Sequence, residues 1–166
     1  MTKKALDKFF SSLANANTEE DVKNAYARFF SIDYDTAHKH DLYTKQVFFE
    51  FKCNKNFHNL KTRASTLAQT LYYIHRLKFG GDADQPVPFQ LCMADQNEAI
   101  ITETQLWKDF YTDEAVAYDW DLAPSSPDPD LIDDLASTPA VRNMRVYDVR
   151  DQTSFSVFAE QLKIRL

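Results

Sequence analysis

Glycine is nearly missing from this chain: two occur in 166 residues, adjacent at Gly80 and Gly81. A Gly-rich cofactor loop or a helicase-type phosphate loop needs several glycines at fixed spacing, so both are excluded. Cysteine is equally scarce. Cys53 and Cys92 stand alone, without metal-ligand spacing, and both fall in apolar runs that read as strands; a reduced, intracellular chain is the simpler reading. No apolar run approaches the roughly 18 residues of a membrane span. The opening MTKKALDKFF lacks the apolar core of a signal peptide. The expectation is a cytoplasmic protein with no membrane contact. Internal repeats and low-complexity tracts are also absent.

What is present is aromatic. Thirteen Phe and eight Tyr within a 44% hydrophobic composition describe a globular core filled by rings. The length suits one domain with its own core. The net charge of −6 argues at first against nucleic acid, but its distribution points the other way. Residues 36–79 carry a net +6 and all four histidines, whereas 80–138 carry −13. An acidic total therefore hides a local cationic surface of the kind that phosphate backbones bind.

Residues 3–14 place Leu6, Phe9, Phe10 and Leu13 at helical spacing. Thr18 followed by Glu19, Glu20 and Asp21 predicts a capped helix running through Phe30. A strand is expected around 46–53, a long helix over Leu60–Lys78 ended by Gly80-Gly81, and a hairpin of FQLCMAD and EAIITET turning at Gln96-Asn97. Leu106–Tyr111 reads as a short helix, SSPDPDLIDDLAS as a Pro-rich turn into a helix, Arg145–Val149 as a strand and Ser154–Leu166 as a final helix. Helices flanking a mixed sheet make an α/β domain.

The chemistry-bearing stretch is DLYTKQVFFEFK, Asp41 to Lys52. In a strand, Glu50 and Lys52 share one face while Val47, Phe49 and Phe51 share the other. Asp41 lies eight residues before Glu50, far enough to return beside it from a preceding strand or bend; Asp33 and Asp35 compete for the same role. Two carboxylates supply the hard oxygen ligands that Mg²⁺ (or Mn²⁺) takes. A lysine two residues on can position a water and stabilise charge growing on a phosphate, an arrangement suited to metal-assisted phosphodiester hydrolysis. On the following helix Thr62, Thr66, Gln69, Tyr73 and Arg76 form a polar stripe, with Leu60, Ala64, Leu67, Leu71 and Ile74 on the sheet side. Gln69 and Tyr73 are neighbours one turn apart.

Asp41, then Glu50-Phe51-Lys52, resembles the D…(D/E)xK pattern of the restriction-endonuclease-like nucleases, and Gln69-x-x-x-Tyr73 is similar to the QxxxY element that follows the lysine in RecB-like members. The order of elements matches over roughly residues 18–80, and the region to about 105 also resembles the N-terminal nuclease-type domains of large restriction–modification polypeptides. No proline precedes Asp41, so the PD dipeptide itself is absent. The resemblance implies an α/β restriction-endonuclease-like three-layer core, a mixed sheet flanked by helices, with the core at 18–105 and an extension at 106–166 of a single domain. It implies a Mg²⁺-dependent DNA endonuclease in which Asp41 and Glu50 hold the metal, with Glu20 (or Glu19) as a further ligand unless it serves only the helix cap. Lys52 then assists the attacking water, Gln69 and Tyr73 align the strand, and Lys45, Lys55, Arg63 and Arg76 meet phosphates.

DNA is the expected partner, along with a methyltransferase or specificity domain; no methyltransferase motif occurs in these 166 residues, so the chain reads as a domain cut from a longer enzyme or as a free-standing relative. The alternative from another class is a catalytically silent module for DNA binding or for docking to such a neighbour. His38-x-His40-Asp41 is a weaker zinc candidate lacking a third ligand at usable spacing. The acidic 109–134 stretch reads as a solvated face, with Trp107, Phe110, Tyr111 and Trp120 packed over the domain end.

Overall fold

The computed structural model describes residues 2–32, 46–80, 86–112 and 117–162. Asp33, Asp35, His38, His40, Asp41 and Lys45 lie outside the described residues. Helix α1 spans Lys3–Ala14 and α2 Glu19–Phe29; strand β1, Val47–Phe51, then leads into the long helix α3, Leu60–Phe79. The hairpin β2 (Gln90–Ala94) and β3 (Glu98–Glu103) runs on into a 3-10 turn, Thr104–Trp107, and the single-turn α4, Lys108–Tyr111. Short helices α5 (Pro129–Ala136) and α6 (Pro139–Arg142), strand β4 (Tyr147–Asp148) and α7 (Gln152–Gln161) complete the order.

Local chemistry sets the helix ends. The Thr18 hydroxyl accepts the Asp21 N–H at 3.1 Å, and the Asp21 carboxylate accepts the N–H groups of Asn17 at 3.0 Å and Thr18 at 3.2 Å. This reciprocal capping satisfies donors that the first turn leaves orphaned, and the hydrogen bonds from Asn17 and Thr18 hold the Asp21 carboxyl below its ordinary range. At the other end of the long helix, the Gly80 N–H reaches Arg76 O at 2.7 Å. A Cβ at Gly80 would sit 2.8 Å from that same oxygen, so the glycine is required by close approach, at an ordinary φ of −94°.

The four strands lie in the order β1-β2-β3-β4. β1 and β2 are parallel, with α3 as the crossover between them, while β2–β3 and β3–β4 are antiparallel. Strand alternation divides the core into two. Val47, Phe49, Phe51, Cys92 and Ala94 pack with α1, α2 and α7 on one face. Phe48, Leu91, Met93 and Ile100 pack with α3, α5 and the Trp107 turn on the other. The molecule is thus a mixed α/β fold with a four-stranded sheet between two helical layers.

Several sequence expectations change in detail. Cys53 sits in a turn just past β1, half-buried, and is no strand residue. The expected helix at 106–111 is split between a 3-10 turn and α4, and β4 keeps two residues of the five expected. Helix α6 was not foreseen, although Thr138 capping Val141 N–H with Pro139 at the first position is a start signal. Both α5 and α6 pack on α3, and Thr66 of its expected polar stripe is buried beside Leu67 and Leu71.

The first core contains one polar atom that meets no hydrogen-bond partner among the described residues. Tyr26 is fully buried, packed edge-on against Phe9 at 5.1 Å and against Phe51 at 5.1 Å, and its hydroxyl is unsatisfied. Burial pushes its ionisation well above the usual phenol range. A buried hydroxyl in this state costs about 1–3 kcal/mol. Tyr26→Phe should therefore raise the unfolding free energy by about 1 kcal/mol in urea melts; a lowered value would show that the hydroxyl is held by a partner.

Candidate functional site

β1 is buried at all five positions, which is why a charge within it stands out. Glu50 has Phe48 two residues before it and Lys52 two after, so the three share the face covered by α3. The Glu50 side chain is 2% exposed and that of Lys52 12%. Lys52 Nζ lies 3.3 Å from Glu50 Oε1 and donates to Gln69 Oε1 of α3 at 2.6 Å. One turn along α3, Tyr73 stacks on Phe48 with centroids 5.5 Å apart and planes 28° apart. Another turn on, the Arg76 guanidinium carbon lies 6.0 Å from the Tyr73 ring centre. The strand and helix run side by side, so Gln69, Tyr73 and Arg76 follow one edge of α3 past Lys52, Glu50 and Phe48. Four of the five sequence-predicted catalytic residues are brought together; the fifth, Asp41, lies outside the described residues, as does the phosphate candidate Lys45.

The other candidates are placed differently. Glu20 is exposed and paired with Lys23 at 2.9 Å, on a helix that packs against the far face of the sheet. That geometry serves the surface of α2. Arg63, assigned to phosphate binding by its sequence position, is 8% exposed. It donates through Nε to Phe57 O and through Nη1 to Val141 O and Arg142 O, each at 3.0 Å. This guanidinium joins the loop before α3 to the end of α6, and the assignment to phosphates is corrected accordingly. Lys55 is exposed beside the site, as is Arg76.

The loop that follows Lys52 is fixed by the β2–β3 turn, which the sequence reading treated only as a turn. Asp95 accepts the N–H groups of Asn97 and Glu98 at 2.8 Å through Oδ1, and that of Lys55 at 3.0 Å through Oδ2. Gln96 exchanges two hydrogen bonds with Asn54, accepting its N–H at 2.9 Å and donating its amide to Asn54 Oδ1. Asn54 has φ 58°, the left-handed region that asparagine tolerates. Glu98 accepts the Phe57 N–H at 2.9 Å and meets His58 Nε2 at 2.9 Å. Asp95, Gln96 and Glu98 thus hold residues 54–58 in place, directly after the lysine. An aspartate followed by polar residues between two apolar runs was the available signal, since Asp side chains fold back on the backbone in turns.

Burial is the largest influence on the Asp95 carboxyl and raises it above the usual carboxylate range against the three backbone donors. Burial likewise raises the Cys92 thiol, placing it among inert core groups. Among the described residues no group of three or more His, Cys, Asp or Glu side chains converges as a metal site, and no helix is long and apolar enough to cross a membrane. The Glu50 carboxylate is a hard oxygen donor beside a cation, so the chemistry suits a divalent metal once a second carboxylate joins it. No family model, curated protein or solved structure matches the chain.

Two outcomes are expected. A double-mutant cycle of Lys52→Met and Gln69→Leu should give a coupling energy of about 1–3 kcal/mol in urea unfolding; additivity would separate the two side chains. For Asp95, the folded state keeps its proton at pH values where the unfolded chain has lost it. The unfolded state then binds fewer protons, so this group's contribution to stability falls as pH rises above about 4. The stability of wild type relative to Asp95→Asn should decline over that window, and a flat difference would contradict the assignment.

Proposed function

We propose that the chain is a Mg²⁺-dependent deoxyribonuclease domain of the restriction-endonuclease-like kind, hydrolysing DNA phosphodiesters within a restriction–modification system. The observation that carries this reading is the Lys52 ammonium seated between Glu50 and Gln69, with Tyr73 one turn further along the same helix. Glu50 and Asp41 would hold the metal, and a bound divalent cation supplies Lewis acidity to the phosphoryl oxygen and acidity to the attacking water. Lys52 lies where negative charge grows on the phosphoryl oxygens, and its placement in a water-poor wall strengthens that stabilisation. Gln69 sets the direction of the ammonium through their 2.6 Å hydrogen bond. Tyr73 and the exposed Arg76 and Lys55 lie along the approach for the substrate backbone, where phosphate contacts position the strand.

A second reading keeps the fold and drops the chemistry. It is a nuclease-derived module that binds DNA or docks to a methyltransferase or specificity domain. The observation favouring it is that Lys52 already has an ion-pair partner in Glu50 at 3.3 Å and a hydrogen-bond partner in Gln69, so the pair stands as a structural contact without a metal.

Supercoiled plasmid incubated with Mg²⁺ or Mn²⁺ tests the enzyme. Lys52→Ala should slow nicking by roughly 100-fold or more, and equal rates for the two proteins would remove Lys52 from catalysis. Calorimetry with Mg²⁺ on wild type, Glu50→Gln and Asp41→Asn separates the two readings. Binding abolished by either substitution belongs to the enzyme, and no binding at millimolar metal to the silent module.

A further inference from the structure

A cleft of about 150 Å³ opens between α1 and α2, in the helical layer across the sheet from the Glu50–Lys52 pair. Ala5, Lys8, Phe9 and Ser12 line it from α1, and Ala25, Arg28 and Phe29 from α2. The spacings explain it. Ala5, Phe9 and Ser12 recur at every third or fourth residue along one helix face, and Arg28 and Phe29 stand three and four residues after Ala25 on the other. Alanine at 5 and 25 leaves room that a larger side chain would close. The half-buried Phe29 ring lines its floor, packed 4.9 Å from the Phe9 ring, which is itself buried.

The rim is cationic. Lys8 and Arg28 are both exposed, and neither is ion-paired among the described residues, although the chain carries 25 acidic side chains against 19 basic. Lys23 and Arg150, by contrast, are taken by Glu20 and Asp148. Two cations left over an aromatic floor define a ligand with an apolar ring at one end and a negative charge at the other. Arg28 offers a planar donor fork that matches a carboxylate, and Lys8 a second positive charge. Ser12 adds a hydroxyl at the edge.

We propose that this cleft is a binding site for a small aromatic carboxylate, its ring against Phe29 between Ala5 and Ala25 and its carboxylate toward Lys8 and Arg28. The site is independent of the nuclease reading, because no residue is shared.

Benzoate is the probe, titrated into the full chain and followed by amide chemical shifts. Binding in the millimolar range is expected, with shifts centred on Ala5, Ser12, Ala25 and Phe29. Benzyl alcohol should bind roughly tenfold more weakly, and Lys8→Gln with Arg28→Gln should bring benzoate down to the same level. Ala5 is exposed, so Ala5→Leu fills the cleft without touching the core and should abolish benzoate binding. Shifts that are absent, that scatter over the surface, or that survive Ala5→Leu overturn the proposal. So does inorganic phosphate binding as well as benzoate, since the aromatic floor would then have no part in recognition.

Discussion

One ion pair in a dry place organises this molecule. Glu50 lies inside a strand with no exposed position, and its partner Lys52 stands at the strand's end. Removing two charges from water costs several kcal/mol each, and their attraction offsets this only when geometry is good and the remaining hydrogen-bonding capacity is met. Gln69 meets part of it by accepting from the ammonium. That requirement is met in only one register of β1 against α3, because a one-residue slip of the strand would carry Glu50 into the aromatic layer of Phe9, Tyr26 and Phe158. The Phe48–Tyr73 stack shares the same register.

The lysine is held from its chain neighbours as well. β1 ends at Phe51, and Lys52 N–H still reaches Ala94 O at 2.9 Å, so the backbone remains in the sheet as the side chain turns to α3. Immediately beyond, Asn54 takes a left-handed conformation and the chain is fastened to the β2–β3 turn by Asp95, Gln96 and Glu98. Arg63 then fastens Phe57 to the end of α6. Three separate segments of sequence thereby hold the backbone that follows this one side chain.

Where the sequence was readable, local rules and tertiary packing agreed. The capping run at Thr18, the alternation from Val47 to Phe51, the Gly80 stop and the hairpin around Gln96 each encode structure within a few residues, and each appears as expected. The faces of Glu50, Gln69 and Tyr73 were legible for a similar reason: each lies at a fixed position on a regular element, so periodicity gives its face. Arg63 failed that test because its environment is made by α6, nearly eighty residues away. A cation in a basic segment looks like a phosphate ligand until a distant helix brings carbonyl oxygens over it. Asp95 was overlooked in the same manner, since its N–H from Lys55 comes from a distant loop. The α1–α2 cleft leaves no trace in periodicity, because alanine on a helix face signals nothing until its neighbour across the groove is known.

Stability gives no reason for Glu50 to be where it is. A well-packed apolar pair of similar volume at 50 and 52 would be neutral or more stable, by the general behaviour of buried ion pairs. The flanking residues show how readily this strand accepts apolar side chains: Val47, Phe48, Phe49 and Phe51 are all buried. An acid and a cation retained in that setting, with a glutamine and a tyrosine ordered along the facing helix, incur a cost that the fold does not require. Conformational specificity can justify a buried charge in some proteins, yet register here is already set by the Phe48–Tyr73 stack and by the aromatic layer behind the strand. On the nuclease reading proposed above, that cost would be offset at the end of β1, where an ammonium held in a low-dielectric wall would act on the negative charge of a bound phosphate.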